Sequence, residues 1–148
     1  MIFVDTDVFA IDRLFPKDTR QRRNRQFLEQ TSDKATSIYN LLELCGIASF
    51  TLTPTELTSL FTDFHQQYGL QILYPRILRL SPEGLVQHQI SKIFEKICLR
   101  MNYPDAQILL VAEEYNCSEL VTWNTRHFEG RTHLPVKTPA QLKEEPDA

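Results

Sequence analysis

The chain is poor in the residues that build disulfide or zinc frameworks. Its three cysteines, Cys45, Cys98 and Cys117, are odd in number, far apart and form no CxxC pair, so neither framework is suggested. Four histidines, His65, His88, His127 and His133, show no ligand spacing and read as surface or packing residues. No apolar run approaches the length that spans a bilayer, so no membrane association is expected. The opening MIFVDTD lacks a basic region and a small-residue cleavage site, so secretion is not expected, and a reducing cytoplasm is the expected location. There is no internal repeat, low-complexity stretch or linker. One domain over residues 1–143 is expected, with a frayed tail at 144–148.

Net charge is −3, which argues against wholesale coating by nucleic acid. The charge is uneven, however. Arg13, Lys17, Arg20, Arg22, Arg23 and Arg25 face only Asp18 in that stretch, while Glu144, Glu145 and Asp147 restore the acidic total. Such a strip contacts phosphates locally, because charge beyond a Debye length is screened. Its bland reading is a solvated Arg-rich loop or helix.

Residues 2–5 read as a buried strand ending in an acid, followed by a helical turn that Pro16 breaks. Asp33 is expected to cap a helix through Ala35, Ile38, Leu41, Leu42, Leu44 and Cys45. Thr53-Pro54-Thr55-Glu56 is a capping box for a helix with Leu57, Leu60, Phe61 and Phe64 on its apolar face, stopped by Gly69. A second strand is expected at 70–74. The next helix opens at Ser81-Pro82 and buries Leu85, Ile90, Ile93, Phe94 and Ile97. Pro104-Asp105 begins another, with Ile108, Leu109, Val111 and Ala112 inward. A third strand at 119–123, a last short one at 134–136 and a helical turn capped by Thr138 complete the chain. Strands separated by helices imply an α/β protein, three layers deep, with a small, mainly parallel sheet. Ligands bind beyond the carboxyl ends of such strands.

Four oxygen-bearing residues stand at strand ends or on helices: Asp5, Glu43, Asp105 and Asn124. Each lies in or beside an apolar segment, where an ionised group needs a partner. A divalent cation would satisfy several carboxylates together, and magnesium or manganese suits hard oxygen ligands. Each residue also has a plain structural reading. Asp105 after Pro104 is a good N-cap, Asp5 fits a strand-end turn, Glu43 fits a solvent-facing helix side, and Asn124 fits a turn.

VDTDVF, SIYNLLELCG, YPDAQILLVAEEYNCSELVTWNTRHFEG and LPVKTPAQL, in this order, make the chain resemble a PIN domain, the fold of VapC-like toxin ribonucleases. The likeness covers nearly the whole chain. It implies Mg²⁺- or Mn²⁺-dependent hydrolysis of RNA phosphodiester bonds by an endoribonuclease, as in the toxin of a type II toxin–antitoxin module. By the resemblance, Asp5 and Asp105 would be metal ligands, Glu43 would hold or deprotonate the attacking water, and Asn124 would orient a water or phosphate. Asn124 stands where many members carry a fourth acid, which leaves one or two metals open. Asp7 departs from the usual Asn or Ser; it either restores the missing charge near the metal or caps the following helix, and capping is its expected role. Thr122 either donates to a site carboxylate or is simply a β-branched strand residue. Arg20, Arg22, Arg23 and Arg25 are the candidate RNA contacts. A cognate antitoxin and a homodimer, formed through helices near Leu57–Phe64 or Ile90–Ile97, are the implied protein partners.

Two other readings compete. An inactive or weakly active PIN-like module would grip RNA or a partner without cutting. DTDVF also looks like the opening of a haloacid-dehalogenase-type phosphatase, but the later acidic pair and lysine of that family are missing.

Overall fold

β1 (Ile2–Val4) opens the chain, and Asp5 caps α1 (Thr6–Leu14) directly behind it. The computed structural model describes residues 1–142, so the expectation for 144–148 lies outside the described residues. α2 (Gln21–Gln30) carries Arg22, Arg23 and Arg25 of the basic strip, and β2 (Lys34–Ser37), α3 (Ile38–Ala48) and α4 (Pro54–Tyr68) follow. Next come β3 (Gln71–Leu73), α5 (Pro82–Cys98), α6 (Tyr103–Glu114), β4 (Glu119–Val121) and β5 (Val136–Lys137).

The five strands pair in parallel in the order β3-β2-β1-β4-β5. Helices cover both faces, which makes the three-layer α/β/α architecture. The strand period of two divides the core: Phe3 and Leu120 point into one apolar cluster with Ile108 and Leu109 of α6. Val4 and Val121 point into the other, with Val8, Phe9, Leu41, Leu44 and Phe64 from α1, α3 and α4. The strand order reverses between β1 and β4, so a crevice opens beyond their carboxyl ends. Asp5 leaves one side of that crevice and Thr122 the other.

Three expectations are corrected. Residues 34–37, read as part of a helix capped by Asp33, form β2. Ser37, not Asp33, caps α3, in a reciprocal box with Asn40. The buried Ala35 and Thr36 lie between β1 and β3, and strand pairing there overrides a weak helical period. Second, the helix at 103 is capped by Asn102, with Asp105 three residues in.

The third correction concerns α5, whose expected inward residues Ile90 and Phe94 are each 62% exposed, with Ile97 beside them. Leu85 and Ile93 are partly buried, and Lys96 is the buried residue of that helix. Its ammonium pairs with Glu113 of α6, while Gln89 donates to Glu114 at 3.2 Å. Long aliphatic stems with polar tips fill that seam, so the more apolar stripe faces outward.

Smaller shifts occur at strand ends: β3, β4 and β5 are shorter than or displaced from the expected 70–74, 119–123 and 134–136. The final turn at 138–141 is closed by Gln141 N–H to the Thr138 carbonyl but does not become a helix. Among the described residues no helix is long and apolar enough to cross a membrane.

Candidate active site

Asp5 is 6% exposed and held from three directions. Its Oδ1 accepts from the Thr6 N–H at 2.8 Å and from Asn40 Nδ2 at 3.1 Å. Thr122 Oγ1 donates to its Oδ2 at 2.8 Å. Despite these bonds the carboxyl is pushed up to about 8, by burial first and then by the negative charge of Asp7, with Asp105 adding to it. Acids have been brought together here without an equal positive charge.

Asp7, expected as a helix cap, is not one; Asp5 takes that position. Asp7 lies in the first turn of α1 and its Oδ2 gathers the loop after β4, accepting from Trp123 N–H at 2.8 Å and Asn124 N–H at 3.1 Å. Thr122 Oγ1 stands 3.1 Å from the same oxygen. Thr122 thus takes the donor role, but its single hydrogen serves only one carboxylate at a time. A proton on Asp5 would complete a chain from Asp5 through the Thr122 hydroxyl to Asp7. Burial also raises Asp7 above the usual carboxylate range, against the pull of its hydrogen bonds and of Arg20. Its Oδ1 is buried with no hydrogen-bond partner.

Asp105 projects from the first turn of α6, its side chain 14% exposed. Asn102 Nδ2 donates to Oδ2 at 2.8 Å, and His127 Nδ1 lies 2.9 Å from that oxygen. His127, read from sequence as a surface or packing residue, is half-exposed and shares a partner with the cap of α6.

Glu43 lies one turn beyond Asn40 on α3 and is partly buried. Among the described residues its side chain makes no hydrogen bond or ion pair. Asn124 is exposed at the start of a short 3-10 helix (Thr125–His127), and it is its backbone N–H that reaches Asp7. Within the basic strip, Arg20 grips Asp18 through two nitrogens at 3.0 and 2.9 Å, and Arg25 grips Asp12 at 3.2 and 3.1 Å. Arg22 and Arg23 are exposed and, among the described residues, unpaired.

Asn40 is the contributor that sequence reasoning missed. It is buried, and its amide also donates to Thr6 Oγ1 at 2.9 Å while its carbonyl accepts from Ser37 N–H at 3.1 Å. The Ser-x-x-Asn spacing at 37–40 was the available signal, a polar variant of the capping box.

These donors suit a divalent cation in their chemistry: all are oxygens, the negative charge is only partly offset by Arg20, and one buried carboxylate oxygen of Asp7 is unpartnered. Among the described residues no three His, Cys, Asp or Glu groups converge closely enough to hold an ion by themselves. Magnesium is commonly bound through one or two carboxylates with water completing its shell, so the set fits that manner of binding.

No family model and no curated protein matches the chain. Solved structures do match. The chain is similar to FitAcB from Neisseria gonorrhoeae at 18% identity and a TM-score of 0.66, covering 96% of this chain and 100% of that one. A toxin–antitoxin complex from Klebsiella pneumoniae matches at 21% identity and a TM-score of 0.62, again over 96% and 100% of the two chains. VapC20 from Mycobacterium tuberculosis, a sarcin-ricin loop cleaving toxin, matches at 13% identity and 0.58, over 81% and 87%. The fold is that of the VapC-like PIN domain. On this PIN fold Asp5, Asp7 and Thr122 flank the reversal of strand order, and the charge of Asp105 acts on Asp5.

Proposed function

We propose that the protein is a metal-dependent endoribonuclease of the toxin type, cutting RNA phosphodiester bonds in the crevice beyond β1 and β4. The observation that carries this reading is Asp5: a carboxyl raised to about 8 by burial first and then by the charges of Asp7 and Asp105, at the edge where ligands bind. A structural acid needs no such neighbours.

Asp5 and Asp105 would hold Mg²⁺ or Mn²⁺, with Asp7 beside them. The bound ion would supply charge for the phosphate and a lower pKa for the attacking water. Thr6, Asn40 and Thr122 fix Asp5 in one rotamer, and Asn102 and His127 do so for Asp105. Glu43, with no partner to quench it, takes the proton from the attacking water. Asn124 orients the phosphate through its exposed amide, and Arg22 and Arg23 carry the flanking backbone. One structural neighbour is a toxin–antitoxin complex, which supports a cognate antitoxin as partner. The outward stripe of Ile90, Phe94 and Ile97 supports a homodimer.

A second reading, RNA binding without cleavage, draws on Asn124 and on the absence of three converging acids among the described residues. The phosphatase reading draws on nothing beyond DTD, whose second aspartate is committed to the Trp123 and Asn124 amides. Incubating structured RNAs with the protein and Mg²⁺, Mn²⁺ or EDTA, beside Asp5→Asn, decides. Metal-dependent cuts that vanish in the variant support the nuclease. Bound but uncut RNA in every condition supports the binder.

A further inference from the structure

Trp123 is the only tryptophan in the chain, and it sits one residue after Thr122. A partly buried indole needs a partner for its N–H and a reason for its orientation. Nε1 donates to Asn24 Oδ1 at 2.8 Å, and the buried Asn24 is itself anchored to the Val8 carbonyl at 2.7 Å. The backbone N–H of Trp123 is held by Asp7, so the ring is tied to the acid cluster at its root.

Arg20 completes the arrangement. Its guanidinium carbon lies 5.6 Å from the Trp123 ring centroid, and Asp18 holds one edge of the fork through two nitrogens. Asp18 also accepts from the Arg20 N–H at 2.8 Å, and the pairing draws its carboxyl down to about 2. A free surface arginine samples many rotamers; this one is fixed on its edge and on one face, yet its side chain remains 45% exposed. Its positive charge also acts on Asp7. The fixed, planar cation therefore stands at the lip of the crevice.

We propose that Arg20 and Trp123 form a stacking platform for a nucleobase next to the scissile phosphate, a subsite that rests on the nuclease reading above. The ligand class is a single-stranded or looped-out base, because only an unpaired base can present its π-face to a guanidinium or indole plane. Arg22 and Arg23, exposed two and three residues along α2, lie where the adjoining phosphates would pass. Aromatic surface alternating with cations is the pattern that holds single strands. Purines stack over more area than pyrimidines, so the platform favours a purine at this position.

The sole indole makes the test direct. The full chain in metal-free buffer is titrated with a labelled adenylate oligomer, a uridylate oligomer and inorganic polyphosphate of matched length. Anisotropy reports binding and tryptophan fluorescence reports stacking. The platform predicts quenching that is strongest with adenylate and weak with polyphosphate. Arg20→Lys keeps the charge but loses the plane, and should weaken RNA binding about five- to a hundred-fold, as loss of one stacked base does. Arg20→Gln should do the same, with the indole and its hydrogen bond to Asn24 kept in both.

RNA that binds with no more quenching than polyphosphate, or an Arg20→Lys variant that binds like the parent, overturns the platform. If metal-dependent cleavage persists in that case, the nuclease reading stands without it. If RNA is neither bound nor cut by the parent, both fall together.

Discussion

Replacing Asp5 by asparagine should stabilise the metal-free protein, although it removes a site residue. The Asp5 carboxyl, near 4 in an unfolded chain, rises to about 8 in the fold. A carboxyl raised on folding binds more protons in the native state than in the unfolded one, so stability falls as pH climbs between those two values. At 1.36 kcal/mol per pH unit, the loss by pH 7 is on the order of 4 kcal/mol. Asparagine resembles the protonated acid. Its oxygen can keep the Thr6 and Asn40 donors, and its amide can donate to Thr122, whose hydroxyl then turns to Asp7. A gain of about 2–4 kcal/mol at pH 7 follows, worth at least about 5 °C in Tm for a domain of this size. Thermal unfolding by circular dichroism from pH 5 to 8, without divalent ions, should show the parent losing stability with rising pH and the variant nearly flat. Added Mg²⁺ should stabilise the parent at pH 8 and leave the variant unchanged. Parallel pH profiles for the two proteins would refute the picture of an acid cluster only partly offset by positive charge.

Asn40→Ala should destabilise by about 1–3 kcal/mol in urea unfolding, since Asp5 and Thr6 each lose a buried donor; an unchanged midpoint would mean that the two groups find another partner. Arg22→Glu with Arg23→Glu should weaken RNA binding and flatten its dependence on log salt by about 1.4, near 0.7 for each lost phosphate contact on a single strand. An unaltered slope would return both residues to the solvated surface. Ile90→Glu with Phe94→Glu, at positions already exposed, should leave the Tm within about 2 °C of the parent and lower the mass seen by light scattering if the homodimer forms there. A dimer that survives this double change uses another face.

Local chemistry was legible in the chain itself. An acid directly after an apolar triplet marked the end of β1, and Thr53-Pro54-Thr55-Glu56 gave the start of α4 to the residue, because a capping box is satisfied within four residues. Alternating helices and strands were enough for a parallel three-layer sheet, since crossovers leave few other arrangements. Three-residue strands were harder: β2 is held by neighbours on both sides, and the pattern of residues 34–37 carries little trace of them. The inward face of α5 was legible only in part: Leu85 and Ile93 are partly buried as expected, but Ile90 and Phe94 face outward, because the seam is closed by the buried Lys96 and its pair with Glu113 rather than by the most apolar stripe.

The candidate site divides in the same way. Which residues bear oxygen at strand ends is a property of the sequence. That Asp7 holds the loop after β4, that Thr122 stands between two carboxylates, that His127 meets Asp105 and that Arg20 lies over Trp123 depend on residues up to 117 positions apart. Sequence spacing says nothing about such pairs; the placement of β1 beside β4 brings Asp5 and Asp7 to Thr122 and its loop, and the packing of α6 and of the start of α2 adds the other two. The proton affinity of Asp5 belongs to that tertiary level as well, because burial and the charges of Asp7 and Asp105 exist only once the chain has folded.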